Sequence, residues 1–211
     1  MIPDKNEWIK ALEERHGKEL QNKISSSIIA ICGLGGLGSN IATMLARVGV
    51  GKLILIDFDK VDITNLHRQQ YKVSQIGMYK TEALACNLKE IAPYIETEIH
   101  TVRMDKNNYS ELLENADIIC EAFDDAEAKA DIVNFVLSQM PEKYLVAASG
   151  MAGLGSSNSI KTRKISRRFY LCGDEKSDVA DGIGLVASRV TVCAAHQAHM
   201  VIKIISENFE E

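Results

Sequence analysis

The stretch Gly33-Leu-Gly-Gly-Leu-Gly38 lies between the apolar run 27–32 and a segment with helical periodicity. Its glycines have the G-x-G-x-x-G spacing of a strand–turn–helix unit that binds nucleotides. Glycines allow a tight turn and let backbone N–H groups approach a phosphate, while the helix N-terminus adds partial positive charge. Asp57 ends the next apolar run, about 20 residues further on, where its carboxylate would accept hydrogen bonds from ribose hydroxyls. The sequence therefore predicts a nucleotide site at this turn, without specifying the nucleotide.

Strand-like and helix-like segments alternate along the chain around this turn. An N-terminal helix precedes it, signalled by the capping-box pair Asp4 and Glu7. The order β-α-β-α-β-α-β-α-β predicts a parallel sheet covered by helices. The predicted strands are 27–32, 53–56, 98–102, 117–122 and 145–148.

The composition changes after Ser149, where the segment 150–159 is rich in glycine and serine. Two alternating segments, 158–165 and 168–172, predict an antiparallel pair. The loop 173–184 then leads to a long final helix near 185–206. We predict a single domain of Rossmann-like α/β class, with a mostly parallel sheet extended by the antiparallel pair and the final helix. Its parts are an N-terminal helix at 1–24, a nucleotide-binding core at 25–150 and an extension at 151–211.

The polar loop after Asp57 indicates what kind of nucleotide is bound. It places Asn65, Arg68 and Gln69 just beyond the predicted ribose site. Arg68 can fork onto phosphate oxygens and neutralise the charge of departing pyrophosphate, and the two amides can position phosphate or ribose oxygens. A solvated surface loop is the alternative, but a triphosphate explains this combination better than a dinucleotide does.

Two further segments carry groups suited to a polyphosphate. Lys80 begins the helix near 78–92 and can reach back toward the phosphates, although a lysine in a first helical turn is usually a surface residue. Asp124 and Asp125 follow the strand 117–122, at the edge where parallel sheets bind ligands. Carboxylate oxygens there suit Mg²⁺. The alternative is that both acids cap the next helix.

Composition excludes several classes of protein. The formal net charge of -5 argues against a nucleic-acid partner. We expect no membrane association, because no apolar run is long enough to span a bilayer, and the absence of a signal-peptide pattern predicts a cytoplasmic protein. The five cysteines contain no C-x-x-C pair, so we expect no structural zinc.

Together, these motifs resemble the ThiF/MoeB/HesA adenylyltransferases, which are relatives of the ubiquitin-activating enzymes. The resemblance covers roughly 15–206, and the stretch 148–164 is most similar to short ThiF-type proteins of thiamine biosynthesis. The shared motifs are Gly33–Gly38, Asp57-x-Asp59, Asn65-Leu-x-Arg68-Gln69, Lys80 and Asp124.

The resemblance implies an activity and a set of partners. ATP and Mg²⁺ would be used to adenylate the C-terminal glycine carboxylate of a ubiquitin-like sulfur carrier ending in Gly-Gly. A homodimer is implied, with a cysteine desulfurase or another protein as sulfur donor. The implied catalytic residues are Arg68, Lys80 and Asp124, of which Asp124 would hold Mg²⁺. The implied nucleotide-binding residues are Gly33, Gly35, Gly36, Gly38, Asp57, Asp59, Asn65, Arg68, Gln69 and Lys80.

The chain departs from the family pattern in several places. An N-terminal Arg-x-x-Arg-Gln segment is absent, and Arg15 is the nearest counterpart. Asp125 replaces the usual asparagine, and Lys129 replaces an arginine. The cysteine that larger members carry before the last helix has no counterpart. Among the five cysteines we expect only Cys172 in an accessible segment, as a candidate for sulfur transfer.

Two other functions are compatible with parts of this pattern. The glycine turn and Asp57 would also suit a nicotinamide-dependent oxidoreductase, although the Asn65, Arg68 and Gln69 set has no role there. Asp125 in place of the usual asparagine and the missing N-terminal arginine are also compatible with a non-catalytic nucleotide-binding regulator. Within the adenylyltransferase interpretation, a carrier for molybdopterin is the alternative to a thiamine carrier.

Overall fold

A computed structural model describes residues 2–208, in which the predicted alternation of strands and helices forms a single seven-stranded sheet. Every strand is short. The central strands are mostly apolar and β1 is rich in β-branched isoleucine, whereas the edge strands β3 and β6 are mostly polar. The strands are β1 Ile28–Cys32, β2 Lys52–Ile56, β3 Glu96–His100, β4 Ile118–Glu121, β5 Tyr144–Ala148, β6 Lys161–Lys164 and β7 Phe169–Gly173.

Seven α-helices connect and cover these strands. They are α1 Lys5–His16, α2 Lys18–Ser26, α3 Gly36–Arg47, α4 Lys80–Ile91, α5 Tyr109–Leu113, α6 Ala126–Gln139 and α7 Ala187–Asn208. Short 3₁₀ turns occupy Ile63–Asn65, Val73–Gln75, Ser157–Ser159 and Val179–Asp181. Among residues 2–208, no helix is both long and apolar enough to cross a lipid bilayer.

The strand order is β3-β2-β1-β4-β5-β7-β6, and every neighbouring pair is parallel except β6 with β7. This confirms the predicted Rossmann-like class, the antiparallel extension and the long final helix. The order reverses between β1 and β4, because the chain moves from β1 toward β3 on one side and returns to β4 on the other. Parallel sheets bind ligands at the carboxyl ends of strands at such a reversal.

Side chains that alternate along the central strands form two cores, one on each face of the sheet. Ile29 and Ile31 of β1 pack in the core that contains α3 and α7 residues, such as Ile41 and Val201. Cys32 of the same strand faces the other core, with residues of α5 and α6. Helices on both faces explain why β1 is apolar throughout rather than alternating.

Two local predictions differ from the structure. The expected single N-terminal helix is two helices, because Gly17 adopts a φ of 81° that ends α1 and redirects the chain. Strand β3 lies two residues earlier than predicted. It is an edge strand, and its Glu96 and Glu98 pair with Lys52 of β2 at 3.3 and 2.6 Å. Because these residues are polar, an apolar pattern could not locate the start of the strand.

Candidate active site

The glycine turn lies at the carboxyl end of β1, directly at the reversal of strand order. The N–H of Gly33 donates to Ile56 O of β2 at 2.9 Å, and Gly33 has a φ of 90°. A Cβ on Gly33 would lie 2.9 Å from Ala122 O, beyond the end of β4. Helix α3 begins at Gly36, and no side chain caps its start at Gly35. The turn is therefore fixed by neighbouring strands while the first N–H groups of α3 remain available to an anion.

Asp57 holds this turn from the end of β2. Its carboxylate accepts hydrogen bonds from Leu34 N at 2.6 Å and Asp59 N at 2.8 Å. Burial raises the pKa of Asp57, against the opposing effects of Lys80 and the two backbone donors. Each carboxylate oxygen can accept a further hydrogen bond, so the predicted contact of Asp57 with a ribose stays a prediction that this geometry allows.

Lys80 is buried at the start of α4 and is not the surface residue that its position would commonly suggest. It is 5% exposed, and its Nζ lies 2.7 Å from Asp59 Oδ2 and 3.9 Å from Asp57 Oδ2. The N–H of Lys80 also donates to Asp59 O at 2.9 Å. Lys80 and the two acids thus form one charge cluster beside the glycine turn, and contact of Lys80 with phosphates stays a prediction.

Arg68 and Gln69 carry buried polar atoms next to the turn. A Cβ on Gly36 would lie 3.4 Å from Arg68 Cγ, and one on Gly35 would lie 3.8 Å from Gln69 Nε2. The guanidinium of Arg68 donates to Asn65 Oδ1 at 3.0 Å. Within residues 2–208, Arg68 Nε and Gln69 Oε1 are buried without a hydrogen-bond partner. Such atoms are uncommon in native structures, and a bound polar ligand would satisfy both.

The two acids after β4 have different surroundings. Asp125 caps α6, because its Oδ1 accepts the Ala128 N–H at 2.8 Å. Asp124 is exposed and, in the described part of the chain, makes no hydrogen bond. Burial lowers the pKa of Arg68, and the negative charge of Asp124 opposes this shift. The capping alternative therefore holds for Asp125, and Asp124 remains the candidate ligand.

The donor set fits Mg²⁺ only if a nucleotide completes the coordination. Among residues 2–208, no group of three His, Cys, Asp or Glu side chains could hold a metal alone. Protein-bound Mg²⁺ typically uses one or two carboxylates together with substrate phosphates and water. One free carboxylate, at Asp124, beside a turn suited to phosphate meets that requirement.

A cavity of about 380 Å³ lies between Arg68 and the residues that precede α7. Its walls combine the polar groups of His67 and Arg68 with the apolar residues that precede α7. The exposed Val179 and Ile183 belong to the predicted loop 173–184, which therefore lines the cavity next to the candidate site. The lining residues are His67, Arg68, Val179, Ile183, Gly184, Leu185 and Val186.

Comparison with known proteins identifies the relatives of this chain. The ThiF family profile matches residues 10–211. The chain belongs to the ThiF family. It is 28% identical over 223 residues to the adenylyltransferase and sulfurtransferase UBA4 of Lodderomyces elongisporus, covering 97% of this chain and 48% of that protein. It is 30% identical over 186 residues to the ubiquitin-like modifier-activating enzyme 5 of Branchiostoma floridae, covering 82% and 45%.

Both curated relatives are more than twice as long as the part that this ThiF-family chain matches. Among solved structures, the chain is similar to the Escherichia coli tRNA N6-threonylcarbamoyladenosine dehydratase TcdA in complex with ATP. The TM-score is 0.85 with 18% identity, covering 98% of this chain and 97% of that one. At this identity the likeness supports the fold alone.

Sequence reasoning did not find Asn40, which connects the glycine turn with the polar loop. It is 3% exposed, and its Nδ2 donates to Gly36 O at 2.7 Å and to Arg68 O at 3.2 Å. Its Oδ1 accepts from Gln70 Nε2 at 2.7 Å. The signal available in the sequence was an asparagine two residues after the last glycine of the turn. This amide holds Arg68 against the start of α3 in the ThiF-family chain.

The expectation that Cys172 is accessible is wrong. Strand β7 lies between β5 and β6, and α7 covers one of its faces, so the Cys172 side chain is fully buried. Burial raises the pKa of Cys172 to about 11, against the opposing hydrogen bond of Thr162. A thiol with such a pKa and no solvent contact is a poor nucleophile. Cys86 is the exposed cysteine instead.

Thiol labelling of the native protein should therefore modify Cys86 and leave Cys172 unmodified. At pH 8 only about one thousandth of a thiol with this pKa is ionised, and burial excludes the reagent as well. Iodoacetamide labelling followed by peptide mass spectrometry measures both positions. Labelling in urea is the control that shows both thiols to be detectable. Fast native labelling of Cys172 would contradict its burial.

Proposed function

We propose that the chain uses ATP to adenylate the C-terminal glycine carboxylate of a ubiquitin-like sulfur-carrier protein. The observation that carries this proposal is the pair of buried, unpartnered atoms, Arg68 Nε and Gln69 Oε1, beside the glycine turn. They lie at the reversal of strand order, where a nucleotide would be expected in this fold. A triphosphate along the turn would supply acceptors for the guanidinium, and its ribose or a water would supply a donor for the Gln69 oxygen.

Adenylation of a carboxylate requires compensation of negative charge more than it requires proton transfer. A carboxylate oxygen of the carrier attacks the α-phosphorus of ATP, and the bond from that phosphorus to the leaving pyrophosphate breaks. The attacking group is already an anion, so no general base is needed. Arg68 and Lys80 would offset the repulsion between two anions and stabilise the departing charge. Mg²⁺ held by Asp124 would neutralise phosphate charge when bound.

The cavity beside Arg68 could bind the C-terminal tail of the carrier in an extended conformation. Its apolar wall is built by the segment that precedes α7, and its polar wall by His67 and Arg68. A Gly-Gly terminus has no side chains, so it would fit between these walls and bring its carboxylate to the glycine turn. The segments 150–159 and 173–184 would then contact the carrier, as expected of loops beside a rigid scaffold.

The relatives support a carrier rather than a small-molecule acceptor. UBA4 is named as an adenylyltransferase and sulfurtransferase, and enzyme 5 as a ubiquitin-like modifier-activating enzyme. We propose a thiamine-type carrier as the substrate, action as a homodimer, and a separate sulfur donor such as a cysteine desulfurase. Cys172 is too buried for sulfur transfer, which favours a donor outside this chain. A cytoplasmic location belongs to the same proposal.

The decisive experiment is mass spectrometry of a carrier after incubation with the chain, ATP and Mg²⁺. A thiamine-type carrier should gain the mass of one adenylyl group, which is AMP less water. Hydroxylamine should then displace AMP and leave the carrier hydroxamate. A molybdopterin-type carrier is the second arm, and a carrier lacking its terminal glycine is the control. Nucleotide binding with no adenylate on either carrier would overturn the proposal and favour a non-catalytic regulator. Tighter binding of NAD than of ATP would favour an oxidoreductase.

A further inference from the structure

Glu121 is a buried carboxylate at the end of β4 that the proposed reaction does not use. Its side chain is 1% exposed. Oε1 accepts the Phe123 N–H at 2.7 Å and lies 2.9 Å from Lys129 Nζ, while Oε2 lies 3.0 Å from the same nitrogen. Both oxygens are therefore occupied inside the protein, and Glu121 is not a candidate ligand for the nucleotide or a metal.

Lys129 extends this contact to the next strand. It lies in the second turn of α6, and its Nζ also donates to Ala148 O at the end of β5, at 3.1 Å. One ammonium thus joins β4, β5 and α6. Because Cys32 is the register partner of Glu121 in the adjacent β1, the pair lies level with the residue that precedes the glycine turn.

The segment between Glu121 and α6 is fixed at both ends. Ala122 N donates to Cys32 O at 2.9 Å, and Phe123 lies against Gly33, where an added Cβ would be 3.0 Å from Phe123 Cδ1. At the other end, Asp125 caps α6. Asp124 is the residue between these anchors, and its own side chain is left without an internal hydrogen bond in residues 2–208.

We infer that the Glu121–Lys129 ion pair is a positioning device that holds the Asp124 carboxylate at a fixed place relative to the glycine turn. The inference rests on the proposed function, in which Asp124 holds Mg²⁺ on the nucleotide. Glu121 acts through the Phe123 N–H, which sets the backbone immediately before Asp124. Lys129 acts through α6, whose first turn sets the backbone immediately after it. Neither residue touches the reacting atoms.

Stability alone does not account for this pair. Removing a charge from water costs several kcal/mol, a penalty that Glu121 incurs in full and the 22%-exposed Lys129 in part. Apolar replacements of similar volume are often as stable as a buried pair. A charged pair specifies geometry more narrowly than apolar packing does, because each hydrogen bond has a preferred direction. Residues that orient a metal ligand in this way change metal affinity without contacting the metal.

The test compares Mn²⁺ binding with nucleotide binding. Mn²⁺ is the probe, since carboxylate and phosphate oxygens bind it as they bind Mg²⁺. Electron paramagnetic resonance gives its affinity for the protein in complex with α,β-methylene-ATP, and calorimetry in EDTA gives the affinity of that nucleotide alone. The Glu121→Leu/Lys129→Met double variant removes both charges at similar volume. It should bind Mn²⁺ about tenfold more weakly, with nucleotide affinity in EDTA unchanged within about twofold.

Three further variants complete the comparison. Lys129→Arg keeps the ion pair and should restore Mn²⁺ affinity to the native level. Asp125→Asn removes a charge from the same loop while keeping a good capping residue, and should leave Mn²⁺ affinity unchanged. Glu121→Gln keeps the volume and an acceptor for Phe123, so it supplies the measurement if the double variant does not fold. It should weaken Mn²⁺ binding in the same direction, but less.

Asp124→Asn separates failure of this inference from failure of the proposed function. If Asp124→Asn weakens Mn²⁺ binding and both Glu121 variants bind Mn²⁺ like the native chain, the positioning role is overturned and the role of Asp124 stands. If Asp124→Asn binds Mn²⁺ normally, both assignments to this loop are overturned, while carrier adenylation is judged independently by mass spectrometry. Equal weakening by Asp125→Asn would also overturn the inference, since it would show that Mn²⁺ affinity falls with substitution anywhere in this segment and not with loss of the ion pair.

Discussion

Arg68→Ala is expected to lower the rate of carrier adenylation by about 10²–10³-fold, the scale of one lost preorganised charge contact. The reason is geometric. The Arg68 stem lies against the start of α3, and its fork is oriented by Asn65 at 3.0 Å while its Nε has no partner in the described residues. The Arg68 guanidinium is therefore already oriented to stabilise the negative charge that develops on pyrophosphate, and it need not move during the reaction.

Pyrophosphate release with a Gly-Gly carrier gives the rate, and circular dichroism checks the fold. Arg68→Lys should recover little of the loss, since a point charge cannot replace a planar fork held by an amide. Arg167→Ala is the matched control, because this exposed arginine lies in the turn between β6 and β7. A native rate for Arg68→Ala would remove this residue from the mechanism. A large loss for Arg167→Ala would indicate a nonspecific charge effect.

The centre of the fold was predictable because its signals are local. The strand β1, the glycine turn and α3 are adjacent in the chain, and an apolar run marks each of β2, β4 and β5. Asp124 was expected at the ligand-binding edge of the sheet, because it follows a predicted parallel strand. The reversal of strand order, which was not predicted, then brings the loops after β1 and β4 together. The ThiF family profile matches residues 10–211, a range that contains all of these motifs.

The parts that sequence reasoning missed depend on contacts between distant segments. Cys172 is buried because β6 and α7 flank β7, which no pattern within β7 reveals. The same holds for Arg189, which donates from α7 to Gly155 O at 2.5 Å and Ser156 O at 2.6 Å and pairs with Asp174. That buried arginine joins the loops 150–159 and 173–184, which we propose contact the carrier. An arginine in a helical pattern would nevertheless be predicted to lie on the surface.

For Asp57 and Lys80, the sequence predicted the positions of the residues but not the contacts between them. Sequence spacing located both residues at the correct strand and helix ends, and the structure brings them within 3.9 Å of each other. Their shared cluster with Asp59 was not anticipated, because each was assigned to the ligand separately. A buried lysine between two carboxylates has a structural role in addition to the proposed contact with phosphate, so substitution of Lys80 would mix the two effects.

Gly38→Ala should destabilise the fold at the glycine turn, with a large effect for a single added methyl group. A Cβ at this position would lie 1.8 Å from Gly33 O and 2.9 Å from Gly33 C, both backbone atoms. Gly33 cannot move away freely, since its N–H donates to Ile56 O and its own Cβ position is blocked by Ala122 O. Helix α3 must therefore shift away from β1, which should reduce the free energy of unfolding by about 3 kcal/mol.

Urea unfolding followed by circular dichroism measures this loss, and Gly184→Ala is the matched control. Gly184 has no positive φ and no atom within 4 Å of an added Cβ, so its substitution should change stability by no more than about 0.5 kcal/mol. Because the shifted helix carries the N–H groups offered to phosphate, Gly38→Ala should also weaken ATP binding in whatever fraction remains folded. A native unfolding midpoint together with native ATP affinity would mean that α3 does not pack on β1 as described. The glycine turn would then no longer explain the position of the candidate site.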